Sequence, residues 1–225
     1  MNFLAHSLIP ELASDPSHPD LIAGGFLGDF LKGPVPEALP PVLAAGVRLH
    51  RRIDAYSNEA AGVRASCARF PADLRRFAPV FVDVIADHLL ALQWSRFSAV
   101  PLPAFTARVY DAIQAHTELL PDHGRRFFDY MASEDLLAAY ADTEVMLRSL
   151  RSVTRRLRRE SLDASLAVTV DREIAGLEAD FLNYFPDLVD HARNWLAAVE
   201  APRHESPGDA PGSPLRNLRS RGKQS

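Results

Sequence analysis

The sequence has a single cysteine, Cys67, among 225 residues. That count excludes an internal disulfide and any metal cage built on thiolates, and it suits a reducing cytoplasm. Lysine is almost missing as well, with two against 23 arginines. The bias fits either a GC-rich genome or a preference for arginine in phosphate contact. Net positive charge is also lacking: the balance is −4 at pH 7, which argues against bulk affinity for nucleic acid. Long apolar runs are absent too. The opening "MNFLAHSLIPELASD" has no basic leader, and its apolar stretch is too short for a signal peptide or a membrane span. No segment alternates in the manner of a strand, and nothing repeats.

What is present is an ordinary globular composition, 47% hydrophobic and 24% charged, enough for one core and one domain. Apolar residues recur at i, i+3, i+4 and i+7 almost throughout. The spacing predicts helices over 2–13, 20–31, 41–58, 60–69, 73–97, 102–118, 123–132, 134–158 and 164–199, with Asp122 and Ser133 as N-caps. Segment 201–225, rich in Pro, Gly and Ser, has too few apolar residues to offset its ordering entropy. The expectation is one all-α domain over 1–200 and a disordered tail over 201–225.

Several polar residues sit in unexpectedly apolar surroundings. His50 and Asp54 in "GVRLHRRIDAYSNE" lie about 40° apart on a helix, on a face that also carries Val47. Asp83 and Asp87 share a face of "FVDVIADHLLALQW" in the same way, with His88 beside them. His6 stands on an apolar first helix, and Asp29 is the one acid in "LIAGGFLGDFLKG", where the glycines suggest close backbone approach. Taken singly, each has an ordinary reading: a hydrogen-bonded core histidine, an i,i+4 pair, a surface carboxylate. Taken together, buried carboxylates and imidazoles from four helices are costly unless a divalent cation joins them. Such ligands without thiolate favour Mn, Fe or Mg over structural Zn.

The strings "MNFLAH", "GDFLKG", "GVRLHRRID" and "DVIADHLLALQW", in that order over residues 1 to about 200, resemble the acyl carrier protein phosphodiesterase family. That family is related to the HD-domain phosphohydrolases, so the resemblance implies a single HD-like helical domain. It also implies a Mn2+-dependent enzyme (Mg2+ or Fe2+ being the alternatives) that removes 4′-phosphopantetheine from a serine of holo-acyl carrier protein, in fatty acid metabolism. The metal centre it implies consists of His6, Asp29, His50, Asp54, Asp87 and His88, with Asp83 behind them or as an additional ligand. The doublet Asp87-His88 reverses the His-Asp order from which HD enzymes take their name.

Asp54, Asp87 and Arg51 are the expected catalytic residues. Arg51 and Arg52 flank the ligand pair, and on a helix only one of them can face a phosphate. His123 is a weaker candidate for the acid, set against a plain surface role. Arg148, Arg151, Arg155 and Arg159 in "RSLRSVTRRLRRE" form a basic stripe suited to docking an acidic carrier protein, the competing readings being a solvated face and a phosphate contact to RNA. Rival readings are an HD-like phosphohydrolase of nucleotides or other small phosphoesters, and a module that binds carrier protein without hydrolysis.

Overall fold

Eleven α-helices and no strand occur among residues 2–200, the residues that the computed structural model describes. The all-α expectation holds there, and the expected tail over 201–225 lies outside the described residues. The helices are α1 (Phe3–Ala13), α2 (Pro19–Leu27), α3 (Pro41–Glu59), α4 (Ala61–Ala68), α5 (Ala72–Arg75) and α6 (Ala78–Leu92). They continue with α7 (Leu102–Gln114), α8 (Asp122–Ser133), α9 (Leu136–Ala139), α10 (Thr143–Arg156) and the long α11 (Asp163–Glu200).

Four predicted helices are shorter or broken, among them 102–118, whose α-helix stops at Gln114. The stretch 73–97 divides because Pro79 has no N–H to donate and so begins a helix, in the first turn of α6. The stretch 134–158 divides because Asp135 takes a left-handed conformation (φ 42°) and caps α9, its side chain accepting from the Ala138 N–H. Asp142 then caps α10 by accepting from the Glu144 N–H at 2.7 Å. Ser133 is therefore the last residue of α8, not a cap, and Asp122 is that helix's first residue. The predicted helix 20–31 ends at Leu27, so Gly28, Asp29 and Phe30 form a turn.

α1 is the centre of the packing, in contact with α2, α3, α6 and α11. Eight of its side chains, from Leu4 to Ala13, are buried. Phe26, Phe70, Phe81, Phe105, Phe181 and Phe185 fill the core around it. Burying a phenylalanine stabilises by roughly 1.5–3 kcal/mol, which explains why a chain with one cysteine needs no staple. α2 lies between α1 and α3, and this layer carries the polar residues of interest.

Candidate metal centre

Glycines bring α1, α2 and α3 unusually close. A Cβ on Gly24 would meet the Gly46 Cα at 2.6 Å, and one on Gly25 would meet the His6 carbonyl oxygen at 2.5 Å. Glycine at both positions lets α2 nest against α3 on one side and α1 on the other. The His6 and His50 rings are thereby brought into contact, with centroids 4.0 Å apart and planes tilted by 32°.

Asp54 bridges the two rings. Its Oδ1 lies 3.0 Å from His6 Nε2 and its Oδ2 lies 3.3 Å from His50 Nε2. Asp29, in the turn after α2, brings its Oδ1 to 3.9 Å from His50 Nε2. One donor atom from each of His6, His50 and Asp54 falls within 4.8 Å of the other two. The histidines are buried, while the Asp54 and Asp29 side chains are 40% and 42% exposed, so the cluster is open on its carboxylate side.

Protonation states suit a cation. Burial, followed by the neighbouring His50, pushes the His6 imidazole down to about 3, so it is neutral at pH 7, as a metal ligand must be. Burial alone would raise the Asp54 carboxyl, but hydrogen bonds from His50 and His6 outweigh it and hold the group well below the usual carboxylate range. At Asp29 burial prevails and raises the carboxyl.

The Nδ1 atoms of His6 and His50 are both buried without a hydrogen-bond partner among the described residues. A proton on Nδ1 would have no acceptor, so the neutral rings carry theirs on Nε2 and donate it to Asp54. A divalent ion would take the place of those protons, held by the Nε2 lone pairs and the carboxylates. The residues fit such an ion, and two imidazoles with carboxylates are the donors of Mn, Fe or Mg in preference to a structural Zn site.

The other expected ligands have different surroundings. Asp87 is fully buried and accepts from the backbone N–H groups of Leu4 at 2.8 Å and Ala5 at 3.0 Å. It thus ties α6 to the first turn of α1, whose own N-cap residue, Asn2, makes no side-chain cap bond. Burial pushes the Asp87 carboxyl up to about 7, with those two amides pulling the other way. His88, also buried, donates from Nδ1 to the Tyr140 carbonyl oxygen at 2.7 Å. Neither joins the cluster of His6, His50 and Asp54. Asp83 lines a groove next to it.

Arg51 donates from Nη1 to the Gly33 carbonyl oxygen at 2.7 Å and from Nη2 to that of Leu31 at 2.6 Å. Its guanidinium thus braces the segment after Asp29. The arginine stripe is also rearranged. α10 stops at Arg156, Arg158 adopts φ 56°, and the Arg159 N–H returns to the Thr154 carbonyl oxygen, so Arg159 leaves the helical face.

The groove has a volume of about 710 Å³ and begins at Asp29. Phe3, Phe30, Phe127 and His123 wall it near Asp29, and the face of α10 bearing Arg148, Ser149, Ser152 and Arg156 runs along it. His123, weighed in the sequence as a surface residue, thus stands at this end, its ring 5.8 Å from that of Phe30. The signal for the α10 face was in the sequence as the i, i+4, i+8 series 148, 152, 156. It was hidden because its middle member is serine, not arginine.

Residues 1–188 match the family model described as acyl carrier protein phosphodiesterase. The acyl carrier protein phosphodiesterase of Escherichia coli O6:H1 is 33% identical over 197 residues, covering 85% of this chain and 97% of the relative. That of Serratia proteamaculans is 30% identical over 195 residues, covering 86% of this chain and 98% of the relative. No solved structure gives a significant match. With a family model spanning most of its length and relatives matched almost end to end, the chain belongs to the acyl carrier protein phosphodiesterase family.

Proposed function

We propose that this protein is a cytoplasmic, metal-dependent phosphodiesterase. It hydrolyses the bond between the carrier serine and 4′-phosphopantetheine in holo-acyl carrier protein. The observation that carries the reading is the convergence of His6, His50 and Asp54, with Asp29 beside them, at the end of a groove. Donors of this kind drawn from several helices are of the HD-phosphohydrolase type, which supports the HD-like reading. His6, His50 and Asp54 would hold Mn2+, with Mg2+ or Fe2+ as substitutes, and Asp29 stands next to them. When bound, the ion supplies Lewis acidity to a phosphoryl oxygen and lowers the pKa of water.

The chain's own residues do the rest. Asp54 holds both imidazoles in register through its two oxygens. Asp29, whose carboxyl is raised by burial, is the better proton acceptor of the two acids and takes the proton of the attacking water. Arg51 braces the turn that carries Asp29. Asp87 holds the first turn of α1, two residues before His6. Water adds to phosphorus, the serine oxygen leaves and regains a proton, and apo-carrier and 4′-phosphopantetheine are released.

No helix among the described residues is long and apolar enough to cross a membrane. The partner is instead an acidic protein, for which Arg151 and Arg155 form a basic flank beside the groove. The test is incubation of the purified protein and Mn2+ with holo-carrier protein, read by intact mass. Loss of one phosphopantetheinyl group per carrier supports the reading. An unchanged mass, with hydrolysis of nucleotides or with carrier binding alone, replaces it.

A further inference from the structure

The groove that includes Asp29 extends well past the cluster, along α6, α8, α9 and α10. Its size is within the roughly 300–1,000 Å³ of small-molecule sites. α10 contributes one wall from Val145 to Arg156, a length of about 16 Å at 1.5 Å per residue. Apolar side chains of α6, α9 and α10 (Val80, Val84, Leu136, Val145) line the groove together with Ser149 and Ser152 of α10.

We propose that this groove is the subsite for the pantetheine arm, with α10 as its specificity-determining wall. This rests on the phosphodiesterase reading and adds to it the place where the non-reacting part of the substrate lies. Beyond its phosphate the arm is a narrow, neutral chain with a geminal dimethyl group, a hydroxyl and two amides, about as long as four or five extended residues at roughly 3.4 Å each. It needs apolar walls for its methyl and methylene groups and a few hydroxyls for its amides, and the groove offers both.

The charges favour the arm over the carrier protein itself. Asp29, Asp83 and Glu134 line the groove along with Arg148 and Arg156. An acidic carrier helix lowered into it would face three carboxyl groups, whereas the arm beyond its phosphate carries no charge to repel. The carrier therefore stays outside, on the flank of Arg151 and Arg155, and the phosphorus is held at the Asp29 end.

Ser152 is exposed on the groove face of α10, so Ser152→Trp fills the groove with no cost to the core. Val80→Trp, on α6 and 37% exposed, fills it from another wall. The measurement is calorimetric binding of 4′-phosphopantetheine and, separately, of apo-carrier protein to the Mn2+-loaded full-length protein. Both variants should bind 4′-phosphopantetheine at least tenfold more weakly than the unsubstituted protein and bind apo-carrier within twofold of it. Unchanged 4′-phosphopantetheine binding in both variants overturns the inference. So does weakened apo-carrier binding with circular dichroism intact, which makes the groove a seat for the carrier. Failure of the unsubstituted protein to bind 4′-phosphopantetheine overturns it as well. Absence of turnover on holo-carrier instead removes the phosphodiesterase reading, and the binding comparison distinguishes the two failures.

Discussion

The Cα of Gly28 lies directly under the imidazole of His50: a Cβ there would stand 2.4 Å from His50 Cγ and 2.5 Å from Cδ2. Neither neighbour can give easily, because the His50 ring is buried against that of His6. Gly28→Ala should therefore swing His50 out of line with Asp54, cut turnover at least tenfold and weaken Mn2+ binding. Circular dichroism should stay helical, since Gly28 follows the last residue of α2 and its φ of −54° suits alanine. Wild-type metal content in Gly28→Ala would show that the ring has room to move.

Asp54→Ala removes both oxygens that face the imidazoles. Bound Mn2+, measured by elemental analysis after gel filtration, should fall below a tenth of the parent value, and turnover should fall with it. The fold should survive, because the side chain is partly exposed. Treatment of the parent with a chelator should reproduce the loss, and Mn2+ should reverse it.

His6 gives the metal-free protein a pH dependence of known sign. Its folded value, about 3, lies below the ordinary 6.5, so the unfolded chain binds the proton that the folded chain refuses. That contribution to stability is complete above about pH 6.5 and is lost as pH falls toward 3, at up to about 1.4 kcal/mol per pH unit. Chelator-treated parent should lose melting temperature from pH 7.5 to pH 5 more steeply than His6→Asn. Parallel slopes would mean that His6 is not the group responsible.

Asp87→Ala leaves the Leu4 and Ala5 N–H groups buried without acceptors, at about 1–3 kcal/mol each. The melting temperature should fall by several degrees or more, with a smaller effect on Mn2+ affinity. The resemblance places Asp87 among the metal ligands instead. In that case metal would be lost and the melting temperature of the chelated protein would barely change.

Arg155 and Arg151 lie about 20° and 60° round α10 from Arg148, on the side away from Ser152. Reversing both to Glu should raise KM for holo-carrier protein and flatten its salt dependence, since attraction across a Debye length of about 8 Å is lost. Affinity for free 4′-phosphopantetheine should hold. Unchanged carrier kinetics at low salt would move the docking face elsewhere, with Arg125 and Arg126 next in line.

The candidate site was legible wherever its chemistry is local. His50 and Asp54 are one helical turn apart, and Asp29 stood out as the one acid in an apolar stretch. The glycines around it announced a close approach, although not which ring would lie above Gly28. Asp87 could be singled out as a buried acid, but its partners are amides that are free only because α1 starts without a side-chain cap, a fact of tertiary structure. Helix 134–158 was misread for a related reason. Leu136, Leu137, Val145 and Met146 keep apolar spacing across a break that depends on the left-handed Asp135. Arg159 was lost to the stripe by the same kind of local turn.

The bond between Asp87 and the start of α1 joins residues 82 and 83 positions apart. The three donors of the cluster, His6, His50 and Asp54, and Asp29 beside them all leave the ribosome before that acceptor does. The first helix must therefore wait, its leading amides met only by water, while α2 and α3 are already complete. Closure of the α1 terminus comes after every cluster residue has been made, and it depends on a helix that supplies none of the cluster's donors.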